Sequence, residues 1–160
     1  MEKIWAPWRS EYVSKIVKKS RECIFCKMIK EKRDKKNYIF TRSEHCFSVL
    51  NVYPYNNGHI LIVPNRHVND LSKLKRQERE DLFDLLEETK ACLEKVLKPA
   101  GYNIGINLGR AAGAGFPKHL HVHLVPRWFG DVNFMPVTGN TKIISDSLKS
   151  LYEKLKNAHT

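Results

Sequence analysis

Three histidines alternate with apolar residues in the run His119-Leu120-His121-Val122-His123-Leu124-Val125-Pro126-Arg127-Trp128. On a strand, side chains have a period of two. His119, His121 and His123 then share one face, and Leu120, Val122 and Leu124 share the other. An imidazole attacks phosphorus readily and leaves again, so three of them on one surface suit a displacement split into two steps through a phosphoramidate. One ring attacks while its neighbours hold its tautomer or stabilise charge. Two plainer readings are an exposed face on which histidine happens to repeat and a patch fully occupied by metal. The continuous apolar face opposite, and the small-residue loop just upstream, favour chemistry.

That loop reads Gly109-Arg110-Ala111-Ala112-Gly113-Ala114-Gly115-Phe116-Pro117-Lys118. Small residues let backbone N–H groups approach phosphate oxygens, and Arg110, Lys118 and Arg127 can add charge-assisted bonds. Taken alone, the same run describes a flexible surface turn. A second constellation is Cys23-Ile24-Phe25-Cys26, whose two-residue gap lets both thiolates reach one tetrahedral zinc. Two ligands do not close such a site; His67, His119 and His45 are the candidates to complete it. A buried thiol pair and a redox dithiol are the competing readings.

The elements that must position these residues follow from periodicity. Short apolar runs at residues 38–40 and 46–51 predict strands, and Tyr53-Pro54-Tyr55-Asn56-Asn57-Gly58 supplies turn chemistry before the run 59–63, which predicts a hairpin. Apolar residues then recur at three and four, from Leu71 to Val96. They predict one long helix over 70–97, open to a break near Gln77 and ended by Pro99 and Gly101. Residues 102–108 and 119–125 predict two further strands, and Ile144, Leu148, Leu151, Tyr152 and Leu155 a closing helix. Residues 30–37 predict a charged loop, and the first twenty an aromatic, basic arm with a short helix. An antiparallel sheet interrupted by a helix is an α+β fold.

The 160 residues predict one domain, 1–160, with residues 1–20 as the arm and 21–160 as the core. No apolar run approaches the length of a membrane span and the N-terminus lacks the apolar centre of a secretion signal, so a cytoplasmic protein whose four cysteines are thiols or ligands is expected. A formal charge of +11 attracts polyanions, and a phosphate-rich small molecule fits it as well as a nucleic acid does.

His119-Leu-His-Val-His-Leu-Val resembles the signature of the histidine triad (HIT) superfamily, and Gly58-His59-Ile-Leu-Ile-Val-Pro-Asn-Arg-His67 resembles that family's upstream strand. Ile4-Trp-Ala-Pro-Trp-Arg9, Cys23-Ile-Phe-Cys26, Gly113-Ala-Gly115 and Pro126-Arg-Trp128 look most like its diadenosine tetraphosphate phosphorylase branch. The resemblance implies a HIT-like sheet of about five strands, a dimer, and a nucleotidyl transfer. His121 is then the nucleophile, His123 positions or protonates the phosphate, and His59 hydrogen-bonds within the cluster. Asn51 is expected on the ribose, and Asn107 near a phosphate or sugar. Gly113, Ala114 and Gly115 are expected along the phosphates, and Trp128 near the nucleotide or the partner subunit. Zinc-bearing relatives imply Cys23, Cys26, His67 and His119 as ligands of a structural zinc, with His45 in reserve. One departure bears on the branch: hydrolases and phosphoramidases carry a glutamine-serine or glutamine-threonine pair where Gly115-Phe116 stands here.

The expected reaction has a dinucleoside polyphosphate seat one nucleoside in an apolar slot near residues 47–51. His121 attacks the α-phosphorus, and inorganic phosphate takes the nucleotidyl group, so that diadenosine tetraphosphate gives ADP and ATP. No metal is required at the reacting phosphate, and magnesium is free to accompany the substrate. Transfer to water or to a sugar phosphate is the enzyme alternative. A zinc-stapled domain that holds nucleotides or nucleic acid without turnover is the alternative of another class, although the chain lacks the interleaved aromatic and basic pattern of an RNA-binding sheet, and no specific nucleic-acid partner is expected.

Overall fold

The computed structural model describes residues 22–131, 144 and 146–159. The expected arm at residues 1–20, with its tryptophans, lies outside them. Five strands, β1 (Ile39–Arg42), β2 (Cys46–Leu50), β3 (Ile60–Pro64), β4 (Gly101–Ile106) and β5 (Val122–Arg127), form one sheet in the order β1-β2-β3-β5-β4. Every neighbouring pair is antiparallel. The helices are α1 (Ile24–Glu31), α2 (Asp34–Asn37), α3 (Arg76–Leu97) and α4 (Leu148–His159). The α+β expectation holds, and no described helix is long and apolar enough to cross a membrane.

Both faces of the sheet are covered near its centre. On one face Leu50, Ile60, Ile62, Val122 and Leu124 pack with Leu82, Leu85, Leu93, Leu151 and Leu155 from α3 and α4. On the other, Ile39, Phe47, Val49, Leu61 and Val63 pack around Phe25 of α1. This double burial explains why β3 reads as an unbroken apolar run rather than an alternation.

Three expectations need correction. The helix predicted over 70–97 is divided into a 3₁₀ turn, Leu71–Lys73, and α3. Asp70 caps the first piece through Ser72 N–H (2.9 Å), and the Glu78 carboxylate caps the second through Lys75 N–H (2.8 Å), so the break falls at 74–75. Residues 30–37 are not a loop: α1 runs through Glu31, and α2 is pinned by the Arg42 guanidinium on both oxygens of Asp34. The strand predicted over 119–125 starts at Val122, because Leu120 donates its N–H to Val68 O in the loop after β3 (2.6 Å).

Gly58, at the end of the β2–β3 connection, has φ +75°, and a Cβ there would lie 2.6 Å from Leu97 Cδ1 and 3.0 Å from Pro126 Cγ. Strained backbone and crowding together make Gly58→Ala costly, by about 1–3 kcal/mol in urea denaturation.

Candidate active site and metal-binding group

The histidine run emerges from the glycine loop and enters β5, with Phe25 packed against its side. The Phe25 ring lies 5.3 Å from that of His119 and 5.4 Å from that of His121, which puts both histidines on the α1 face of the sheet. His121 is 4% exposed, and burial holds its imidazolium below the usual histidine range. Its Nδ1 donates to the carbonyl oxygen of His119, 2.8 Å away. A neutral imidazole that donates from Nδ1 carries its lone pair on Nε2, so this ring is prepared to attack from Nε2.

A second chain of bonds fixes the neighbouring tautomers. The backbone N–H of Tyr55 donates to His59 Nδ1 at 3.0 Å, which places the His59 proton on Nε2. That nitrogen is 2.9 Å from His123 Nδ1 and donates to it, so His123 in turn carries its proton on Nε2. Asn107 Nδ2 lies 3.5 Å from that Nε2, a contact between two donors rather than a hydrogen bond with the proton on Nε2, and the His121 and His123 ring centroids are 5.0 Å apart. A lone pair on one ring and a hydrogen-bond donor on the next thus share one surface, the pairing that displacement at phosphorus requires.

At the other end of the run, Cys23 Sγ, Cys26 Sγ, His67 Nδ1 and His119 Nδ1 all lie within 4.8 Å of one another. The shortest separations are 3.2 Å for Cys26 to His67, 3.2 Å for His67 to His119 and 3.3 Å for Cys23 to His119. A tetrahedral zinc with bonds of about 2.0–2.3 Å spaces its donor atoms roughly 3.3–3.8 Å apart, so the group fits such an ion. His119 Nε2 donates to Pro64 O at 2.9 Å, which turns the Nδ1 lone pair into the group. Burial pushes the His119 pKa down to about 4, so the ring is neutral, as a ligand must be.

A family model described as HIT domain matches residues 32–130. The chain belongs to the HIT family. A relative in Mycobacterium tuberculosis named AP-4-A phosphorylase is 34% identical over 155 residues, which cover 93% of this chain and 80% of the relative. An asymmetrical bis(5'-nucleosyl)-tetraphosphatase of Schizosaccharomyces pombe is 37% identical over 89 residues, 56% of this chain and 48% of that one. Among solved structures, a zinc-bound histidine triad family protein from Mycobacterium smegmatis superposes with a TM-score of 0.69 at 22% identity, covering 86% of this chain and 93% of that one, a likeness in fold.

Within this HIT domain the remaining expected residues fall at varying distances from the histidines. Asn51 follows β2, its Oδ1 accepting Tyr53 N–H (3.0 Å) and its Nδ2 3.3 Å from His59 Nδ1, so that it braces His59. Gly113 and Ala114 donate their N–H groups to Arg110 O and Gly109 O and so close the loop's own turn. Gly115 is half-buried next to Phe116, whose ring packs 5.4 Å from Phe25. Arg127 is tied to Asp131 and to Asn103 Oδ1. Trp128 is half-buried, its backbone N–H donating to Asp131. Phe47 and Val49 pack in the core around Phe25. His45 is absent from the four-residue group; its backbone N–H bonds Asp81.

Two contributors were not singled out from sequence. Tyr55 sets the His59 tautomer and stacks on His123 with centroids 5.4 Å apart at 17°. Phe25 was visible only as a spacer between the cysteines. A third feature secures the loop that carries His67. Arg66 binds both oxygens of Glu78 (2.7 and 2.6 Å) and Lys73 O (2.6 Å), and this guanidinium holds the Glu78 carboxyl down at about 2. A carboxylate depressed from about 4.3 adds stability that is complete above that pH and lost as the pH falls through about 2. Glu78→Gln should therefore lower the melting temperature by several degrees near pH 7, and the gap to the parent should close as the pH is lowered from about 5 to 2.

Proposed function

We propose that the protein is a nucleotidyltransferase that cleaves dinucleoside polyphosphates with inorganic phosphate, converting diadenosine tetraphosphate to ADP and ATP. The observation that carries the reading is the Nδ1–H bond from His121 to the His119 carbonyl, which leaves Nε2 unprotonated on the face where His123 presents a donor. The similarity to the AP-4-A phosphorylase along nearly the whole chain supports the choice of substrate and acceptor.

In the first step the His121 Nε2 lone pair forms a bond to the α-phosphorus, and the bridging P–O bond breaks with its electron pair on the departing ATP. The His119 carbonyl accepts from Nδ1–H throughout and stabilises the cationic ring that forms. His123 Nε2–H hydrogen-bonds the departing oxygen; a phosphate oxygen is weakly basic, so no proton need be transferred. In the second step an oxygen of inorganic phosphate bonds the same phosphorus, the N–P bond breaks, and its electron pair returns to Nε2, releasing ADP. Asn107 and the loop amides not spent on the turn position the phosphates.

Cys23, Cys26, His67 and His119 would hold a structural zinc, which supplies a cross-link between α1, the loop after β3 and the approach to β5. His121 is turned from it toward the reacting phosphate. A homodimer is supported by β4, which lies at the sheet edge with Ile104 half exposed, and by Phe83 exposed on α3. The match to a tetraphosphatase favours water as the alternative acceptor.

Incubated with diadenosine tetraphosphate and inorganic phosphate, the protein should release ADP and ATP in equal amounts. AMP and ATP irrespective of phosphate would make it a hydrolase, and no turnover would leave a binding module. His121→Ala should reduce turnover by at least about 10³-fold with an unchanged melting temperature. Metal analysis of protein purified without chelator should find one zinc per chain. Cys26→Ala should lose it and melt about 5–10 °C lower.

A further inference from the structure

Asn56 lies in the connection between β2 and β3, where an asparagine ordinarily bonds its own turn. Here the residue is 7% exposed, and its amide hydrogens go elsewhere. Nδ2 donates to Pro126 O of β5 at 3.0 Å and to Asp131 Oδ2 at 2.7 Å, residues 70 and 75 positions away. The Arg127 guanidinium holds the Asp131 carboxyl down at about 2, so that acceptor stays ionised. The Asn56 carbonyl accepts His59 N–H at 3.2 Å. Gly58 presses on the same Pro126, where a Cβ would lie 3.0 Å from Cγ.

This connection carries two donors that reach His59 Nδ1. Tyr55 N–H lies at 3.0 Å, and Asn51 Nδ2 at 3.3 Å, with Asn51 Oδ1 held in turn by Tyr53 N–H. The strand that Asn56 grips also carries His123, the ring to which His59 Nε2 donates. Donors and receiving ring are thus tied to one strand. Away from those donors, His59 would hold its proton on either nitrogen. With the proton on Nδ1, its Nε2 would accept from His123 Nδ1, and His123 would present a lone pair instead of a proton to the departing oxygen. We infer that Asn56 is a positioning residue for the nucleotidyl transfer: by clasping the end of β5 it holds Tyr55 N–H against His59 and so keeps His123 a donor. Its effect on rate rests on the reaction proposed above, whereas its effect on the protons does not.

Ring-nitrogen NMR of histidine-labelled protein reads the tautomers without turnover. In the parent, His59 and His123 should carry the proton on Nε2 and His121 on Nδ1; a His59 protonated on Nδ1 overturns the inference. Asn56→Ala removes both side-chain bonds, and Asn56→Asp keeps the shape but sets a carboxylate against Pro126 O and Asp131. Both should shift the His59 and His123 nitrogens toward the other tautomer and leave those of His121 in place. Both should also lower kcat on diadenosine tetraphosphate at least about tenfold, with KM within about threefold. A role in packing alone would spare the isosteric Asn56→Asp, so parent tautomers and parent kcat in that variant overturn the inference. Asp131→Ala keeps the buried bond to Pro126 O and should move the same nitrogens and kcat by a smaller amount; if the Asn56 variants do not fold, an unmoved Asp131→Ala overturns the inference in their place. A parent without turnover overturns the proposed reaction, and the His59 nitrogens alone then decide the role of Asn56.

Discussion

The pairing of β3 with β5 is the constraint on which the site depends. Leu61 opposes His123 and Ile62 opposes Val122, and that register sets every histidine that follows. It brings His59, just before β3, diagonally onto His123 at 2.9 Å, and it brings His119, beyond the ladder, onto the carbonyl of Pro64 at the end of β3. A slip of one residue would turn the imidazoles toward α3 and α4 and expose Val122 and Leu124. The core forbids it, since Leu124, Ile60 and Ile62 are fully enclosed. Hydrophobic burial on one side of the sheet thus specifies the chemistry on the other.

The same short run serves two purposes with opposite tautomers. His119 donates from Nε2 and presents Nδ1; His121 donates from Nδ1 and presents Nε2. Backbone carbonyls make the choice in both cases, Pro64 O for the first and His119 O for the second. Because the second carbonyl belongs to the residue that faces the cysteines, a shift of His119 would also move the acceptor that holds His121. Phe25 lies between the two rings and excludes water from both, which lowers their basicity by desolvation. The geometry of the cysteine-histidine group and that of the His121 ring are therefore joined by one peptide and one phenyl ring.

Much of this was legible in sequence, and the reasons differ by element. The alternation from His119 to Leu124 displays its faces because one face is core and the other is histidine. The strands were visible for the same reason, although their ends were set by tertiary bonds, such as Leu120 N–H to Val68 O, that leave no local trace. A break in the predicted helix was legible near Gln77, but its position at 74–75 was hidden because Glu78 caps α3 through its side chain while reading, in pattern, as one more charged helix residue. In the glycine loop small residues imply a close backbone approach, and the bonds that Gly113 and Ala114 make within the loop could not be read from their types. The partner of Arg127, Asp131, was equally hidden, because a lone cation carries no sign of its partner in sequence.

These arrangements separate two questions that a histidine motif alone runs together. A ring with its lone pair on Nε2 and a neighbour with a proton on Nε2 suffice to form a nucleotidyl-histidine, and nothing in that pair distinguishes phosphate from water as the acceptor. Water is the smaller and far more abundant nucleophile, so a phosphorylase must favour phosphate by binding it, which takes space and donors next to the intermediate.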